Sequence, residues 1–223
     1  MRGFLLLKRY RLISQVSRFS YAFLNRQFIV LLNELGVRDE VFVDLFHDAV
    51  KEVKGMASRI AKGLHNPADV RRGDELSTYP VRAMVKYGFH RDACLQDLLK
   101  VIECRTLSDL RWRARLQIKQ GVYLLGIPDE LEILKEGEVF CRYQNPDEPD
   151  EEAQVVTGTC IICRAPALHP GDIRHVKAVD RPQLHHLRNV IVFSTRGARD
   201  LPNMLGGGDL DGKPELGTIA TLS

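Results

Sequence analysis

An α+β fold, helical to about residue 118 and β-rich beyond it, is predicted by three features of the 223-residue sequence. Apolar residues recur at helical spacing through the first half. After Gly121 they contract into short, β-branched runs separated by turn residues. The acidic, proline-bearing stretch 145–152, with Pro146, Pro149 and five carboxylates, reads as a solvated surface loop between two such runs.

The first helix is expected over residues 13–34, where Val16, Phe19, Phe23, Leu24, Ile29, Leu31 and Leu32 form the apolar stripe and Gly36 supplies the stop. A second follows from Asp39, a plausible cap, through Val41, Leu45, Val50 and Val53 to Gly55. Residues 81–87, 92–103 and 107–118 read as further helices. Strands are expected over 122–125, 138–143, 155–163 and 190–193. This divides the chain into a helical region, 1–118, a β-rich segment, 119–212, and a tail, 213–223, expected to be unstructured. No internal repeat is detectable.

Composition excludes some classes. With 44% hydrophobic and 27% charged residues the chain has the make-up of a soluble globular protein, and a formal charge of +3 permits a nucleic-acid partner without requiring one. No apolar run approaches the roughly 20 residues that span a bilayer, and Lys8, Arg9 and Arg11 interrupt the opening apolar run too early for a signal peptide. The expected location is intracellular, in nucleus or cytoplasm. Five cysteines fit reduced thiols better than a disulfide framework. Cys94, Cys104 and Cys141 read as packing residues. Cys160 and Cys163 form a C-x-x-C, but on a strand such residues point to opposite faces, against a zinc or redox pair.

The segment 206–212, Gly-Gly-Gly-Asp-Leu-Asp-Gly, carries the most chemistry. Its glycines allow a tight backbone path, and Asp209 and Asp211 are suitable oxygen ligands for magnesium, which takes one or two carboxylates with water and phosphates completing its shell. Alone, the string also fits an ordinary polar turn. A calcium loop fits poorly, because Ala220 stands where an EF-hand places its twelfth-position glutamate.

Other clusters have bland readings beside functional ones. Arg111, Arg113, Arg115 and Lys119 surround Trp112, a stretch that can meet RNA phosphates and stack on a base. Pattern alone favours a solvated helix surface with Trp112 buried. His169, His175, His185 and His186 fit no zinc spacing. His169-Pro170-Gly171-Asp172 reads as a tight turn in which glycine allows a positive φ. Asp129, Glu130 and Glu132 read as turn and surface residues rather than an acid-base pair, since no histidine or nucleophile accompanies them.

Read together, these residues resemble a known family. Leu24-Asn25-Arg26-Gln27 with Leu35-Gly36-Val37, then Ala83-Met84, Gly88-Phe89, Leu110-Arg111 and Ala114-Arg115, then Thr157-Gly158, Arg164-Ala165-Pro166, His169-Pro170-Gly171-Asp172, Ala178-Val179, Val192-Phe193, Gly197, Arg199 and 207–212 follow the order and spacing of the cellular RNA-dependent RNA polymerases of RNA silencing. The Arg-x-Pro, His-Pro-Gly-Asp, Ala-Val and Asp-x-Asp-Gly series is a specific signal.

The resemblance implies an incomplete double-psi β-barrel-like catalytic segment, similar to the active site of the largest subunit of multisubunit RNA polymerases. The implied activity is template-directed nucleotidyl transfer: RNA made from ribonucleoside triphosphates on a single-stranded RNA template, giving double-stranded RNA for siRNA processing and gene silencing. Silencing-complex proteins are implied partners, and Mg2+ the implied cofactor. Asp209 and Asp211 match the first two metal ligands, and Gly207, Gly208 and Gly212 the loop glycines. Arg164, His169 and Asp172 match positions beside the catalytic loop that support it, and Arg199 and Lys119 fall where RNA or nucleotide contacts or active-site support are expected.

One departure matters. Lys213 stands where the family has its third loop aspartate. An ammonium in place of a carboxylate changes the local charge by about two units, and a single unit at about 4 Å is worth about 4 kcal/mol at an effective dielectric near 20. Metal binding should be crippled and this chain inactive. The tail also departs from the family. Both departures fit a truncated fragment, for which intron read-through at Gly212-Lys213 is one origin, and the alternative function is a non-catalytic RNA-binding or assembly module.

Overall fold

The computed structural model describes residues 19–145 and 152–207, and the backbone of 216–221. It divides the chain into two compact units, one made of residues 24–29 and 36–116 and the other of 1–23, 30–35 and 117–223. A short strand, β1 (Tyr21–Leu24), and helix α1 (Arg26–Glu34) come first. Asn25 sits before the helix, and its side-chain oxygen accepts the Phe28 N–H at 2.9 Å.

The helical unit contains α2 (Asp39–Val53), α3 (Met56–Ala61), α4 (Pro67–Leu76), α5 (Val81–Lys86) and α6 (Ala93–Arg113). Its core is Met56, Ala57, Ile60, Val70, Val81, Leu95, Leu99 and Ile102. Gly73 lets α4 meet α5 closely, since a Cβ there would lie 2.6 Å from Val81 Cγ1. Asn66 caps α4 by accepting the Asp69 N–H at 2.9 Å, while the Asp69 carboxylate accepts the Asn66 N–H at 3.2 Å, a reciprocal box that satisfies two orphan donors. Asp69 is wholly buried, and Arg59 reaches it through Nε at 2.9 Å and Nη2 at 2.6 Å. Arg59 also donates to the carbonyls of Lys54 at 2.8 Å and Glu52 at 2.6 Å. One guanidinium thus joins the end of α2, α3 and the start of α4. The hydrogen bond to Asp69 holds the Arg59 pKa above its ordinary value, against the opposing effect of burial.

The second unit is built on an eight-stranded curled sheet. Its strands are β1, β2 (Leu116–Pro128), β3 (Glu138–Tyr143), β4 (Gln154–Val155), β5 (Gly158–Arg164), β6 (Arg174–Ala178), β7 (Val190–Phe193) and β8 (Leu216–Thr221). They run in the order β1-β2-β7-β3-β6-β5-β8, and β4 pairs with β3. β7 is parallel to β2 and antiparallel to β3, and β6 is parallel to β3 and antiparallel to β5. β8 pairs antiparallel with β5 on one edge and with β2 on the other, so the run of strands returns on itself.

Side-chain alternation fills both faces. Val139, Cys141, Ile191 and Phe193 enter one core with Val122, Leu124, Cys160, Ile162, Val176, Ala178 and Leu205. Phe140, Val190 and Val192 enter the other with Ile127, Leu134, Val179, Leu184 and Leu187. Glu138 accepts the Lys135 N–H at 3.1 Å and Arg181 Nη2 at 2.9 Å. The backbone bond, aided by Arg181 and opposed by burial, holds its carboxyl below the usual glutamate value.

Several expected elements differ. Residues 21–24 form a strand, not the middle of a helix, and 13–18 lie outside the described residues. The helices expected over 92–103 and 107–118 are one continuous α6 ending at Arg113, where Ala114 adopts φ 48°; residues 116–118 already belong to β2. α3, α4 and β6 were not expected, and the tail, read as unstructured, contributes β8. Residues 146–151 of the acidic loop lie outside the described residues.

Two stability measurements follow from these networks. Asp69→Ala leaves the Arg59 charge without its buried partner and should lower stability by about 3 kcal/mol in urea unfolding followed by circular dichroism. Glu138, with its pKa depressed in the fold, contributes stability that is fully present above its unfolded value and lost as pH falls through the folded one. Glu138→Gln should therefore flatten the acid limb of the stability curve below about pH 4.5.

Candidate functional site

The approach to the aspartate loop is built from the ends of β5 and β7 and the turn after β5. From β7 the chain passes Ser194 and Thr195. Ser194 Oγ donates to the Leu134 carbonyl at 3.0 Å, and Thr195 Oγ1 to the Asp129 carbonyl at 3.3 Å. Gly197 follows at φ +120°, a backbone conformation that side chains disfavour, and a Cβ there would also displace the movable end of Glu136, whose carboxyl carbon lies 2.7 Å away. Asp200 then caps a short helix, α7 (Leu201–Met204), by accepting the Asn203 N–H at 3.2 Å. Arg199 Nη2 donates to the Asn203 carbonyl at 3.2 Å and to its side-chain oxygen at 2.9 Å.

The chain leaves α7 through buried Leu205, then Gly206 and Gly207 at φ +72° and +75°. Arg164, at the end of β5, donates Nη1 to the Gly206 carbonyl at 3.4 Å. A Cβ at Gly206 would lie 3.5 Å from an Asp172 carboxylate oxygen, ordinary van der Waals contact. A guanidinium and a carboxylate therefore both lie close to the first glycine of the run. Asp172 is held by accepting the N–H groups of Leu168 and His169, both at 3.1 Å. His169 Nδ1 accepts the Gly171 N–H at 2.9 Å, which places the proton of a neutral ring on Nε2.

Of the residues singled out from the sequence, Arg164 and Asp172 thus approach Gly206, His169 belongs to the turn that holds Asp172, and Arg199 grips the helix leading to Gly206. Lys119 lies exposed on β2. Gly208, Asp209, Asp211, Gly212 and Lys213 lie outside the described residues, among which no group of three or more His, Cys, Asp or Glu side chains is placed to hold a metal ion. The 170–172 turn is a 3-10 helix in which Gly171 does not take a positive φ. Glycine there leaves room for the ring, as a Cβ would lie 2.9 Å from His169 Nδ1 and push it from the Gly171 N–H.

Asp129 is not a surface residue: it is buried, and its carboxylate accepts the Leu131 and Leu134 N–H groups at 3.1 and 2.7 Å. Asp200 and Asn203 were missed, although Asp before Leu-Pro is a helix-start signal. Trp112, expected to be buried, is 61% exposed.

Residues 12–213 match the family described as RNA dependent RNA polymerase. The chain belongs to the RNA-dependent RNA polymerase family. It is 37% identical over 198 residues to a probable RNA-dependent RNA polymerase 1 of Oryza sativa subsp. japonica, covering 88% of this chain and 26% of the relative. It is 34% identical over 219 residues to RNA-dependent RNA polymerase 1 of Schizosaccharomyces pombe, covering 90% and 18%. The solved structure of the RNA dependent RNA polymerase QDE-1 from Thielavia terrestris shares the fold, with a TM-score of 0.68 at 23% identity over 91% of this chain and 25% of that one. The chain therefore spans about a quarter or less of the length of these polymerases. No helix among the described residues is long and apolar enough to cross a membrane.

The cysteines divide by environment rather than by motif. Cys94 and Cys104, expected to pack, are exposed, whereas Cys141, Cys160 and Cys163 are buried free thiols. Burial pushes the Cys141 thiol well up, and the Cys160 thiol up against the opposing hydrogen bond from the Ala178 backbone. In the native protein a thiol reagent should modify Cys94 and Cys104 quickly, and the other three only on unfolding, which titration of released chromophore with and without urea would measure.

Proposed function

We propose that the polymerase of which these residues are part makes RNA from ribonucleoside triphosphates on a single-stranded RNA template, giving double-stranded RNA for siRNA-mediated silencing, and that Asp209 and Asp211 are its loop carboxylates. The observation that supports this reading is the approach of Arg164, by a 3.4 Å hydrogen bond, and of Asp172 to Gly206, the first residue of the Gly-Gly-Gly-Asp-x-Asp-Gly sequence. Arg164, His169, Asp172 and Arg199 act as positioning residues in this reading, and Lys119 as a contact to RNA or nucleotide phosphate.

The donor set suits magnesium, a hard cation that takes carboxylate oxygen, and Asp209 and Asp211 would hold it with Gly207, Gly208 and Gly212 giving the backbone its freedom. When bound, such an ion neutralises triphosphate charge and lowers the cost of ionising the primer 3′-hydroxyl. The carboxylates keep the site anionic and orient it, and the Arg164 guanidinium neutralises the carbonyl dipole of Gly206. Lys213 works against this arrangement by placing an ammonium two residues after Asp211. The 223-residue chain by itself is therefore inactive, and Lys213 favours a second reading for it, that of a non-catalytic RNA-binding or assembly module.

RNA-templated incorporation should be undetectable for this chain and for Asp209→Ala alike. Manganese binding, read by electron paramagnetic resonance, should be weak in the parent, lost in Asp209→Ala and raised at least tenfold in Lys213→Asp, as removal of a close repulsion requires. Incorporation by the parent that disappears with Asp209→Ala would overturn the inactivity assigned to Lys213. Unchanged manganese affinity in both variants would overturn the ligand assignment.

A further inference from the structure

The final turns of α6 carry an exposed face that the fold itself does not use. The helix buries Leu95, Leu99, Ile102 and Leu110. Val101, Arg105, Ser108 and Trp112, spaced four, three and four residues apart, fall on another side and are all exposed. They span roughly 16 Å at 1.5 Å per residue. Trp112 is 61% exposed and Val101 64%, large apolar surfaces for a helix that already has a buried stripe. The Arg111 guanidinium carbon lies 5.0 Å from the centroid of the Trp112 ring, within cation–π range. Arg113 Nε sits 3.4 Å from Asp109 Oδ1, an exposed pair that contributes little to stability but orients the arginine.

Charge selects the occupant. Between residues 105 and 115 stand Arg105, Arg111, Arg113 and Arg115, with Asp109 as the one acidic side chain. These arginines also offset the partial negative charge of the helix C-terminus, which would otherwise repel an anion. A second apolar helix would have to desolvate Arg105 and the guanidinium groups that flank Trp112 in sequence, Arg111 and Arg113, and a duplex would offer no unstacked base to the indole. A flexible polyanion with exposed aromatic faces satisfies both halves of the surface, the phosphates on arginine and a base on Trp112. Single-stranded nucleic acid has this chemistry.

We propose that the Arg105–Trp112 face of α6 is a docking platform for single-stranded RNA, with Trp112 stacking on a base and Arg105, Arg111 and Arg113 meeting the backbone. It extends the RNA-template reading given above, but it needs neither the aspartate loop nor a metal. It therefore also holds for a chain that makes no RNA.

Trp112 is the single tryptophan of the sequence, so the protein's indole emission reports on this face alone. The full chain, without magnesium or nucleotides, is titrated with a fluorescently labelled 12-nucleotide uridine oligomer and with an abasic oligomer of the same length. Anisotropy gives binding, and emission from unlabelled titrations gives stacking. The expected result is saturable quenching by the uridine oligomer only, binding that weakens steeply with salt, and a loss of about tenfold in affinity for Trp112→Ala that Trp112→Phe partly restores. Circular dichroism should be unchanged in both variants, as the side chain is exposed.

Equal binding of the abasic oligomer, or binding without a change in emission, would overturn the platform by showing that charge alone acts. No binding would overturn it as well. Emission that shifts to the blue with protein concentration, together with a dimer in sedimentation, would assign the face to a second copy of the chain instead. Incorporation activity is not read in any arm, so failure here leaves the polymerase reading standing, and failure there leaves this one.

Discussion

Everything near the aspartate loop depends on β7 being buried on both faces and hydrogen-bonded on both edges. All four of its residues are buried, β2 runs parallel on one side, and β3 runs antiparallel on the other. A strand so enclosed has no freedom to slip, because a one-residue shift would exchange Val190 and Val192 with Ile191 and Phe193 between two different cores. Its position is passed on directly. The Phe193 carbonyl accepts the Asp129 N–H at 2.8 Å, Ser194 ties to Leu134, and the chain then turns at Gly197 toward Arg199 and α7. The loop begins where it does because a fixed strand ends twelve residues before Leu205.

The helical unit is ordered by a different device. α3 and α4 are short and would be marginal helices alone. A single ion pair with bidentate geometry, Arg59 and Asp69, is joined by two backbone carbonyls and a reciprocal cap. A buried carboxylate is costly unless every lone pair is engaged, and here the charges and N–H groups around Asp69 engage it. The arrangement gives geometric definition to helices whose apolar surface is small.

Much of this was legible in the sequence where one physical signal dominated. α2, β3 and β7 follow from apolar spacing, and the family's order of motifs directed attention to Arg164, His169 and Asp172, whose roles belong to the proposal. The misses share a cause. α4 buries Asp69 and Arg71 beside Val70, so a reading keyed to apolar periodicity passes over it. β6 turns only Val176 and Ala178 inward, too few to show alternation. Residues 21–24 fit a helical stripe as well as a four-residue strand, and only pairing with β2 decides between them. Trp112 was assigned to a core by the pattern of arginines around it, whereas α6 buries leucine and isoleucine instead. The tail was judged by its lack of family likeness, which says nothing about backbone pairing.

The family match ends at residue 213, yet residues 216–221 align five positions with β2 and five with β5. Ladder hydrogen bonds are made by the main chain, which every residue except proline carries in the same form. A gap between two antiparallel partners is therefore a berth defined by length and direction more than by letters. A sequence that departs from its family at such a place can still fill the ladder, so a family's signature can stop before its sheet does.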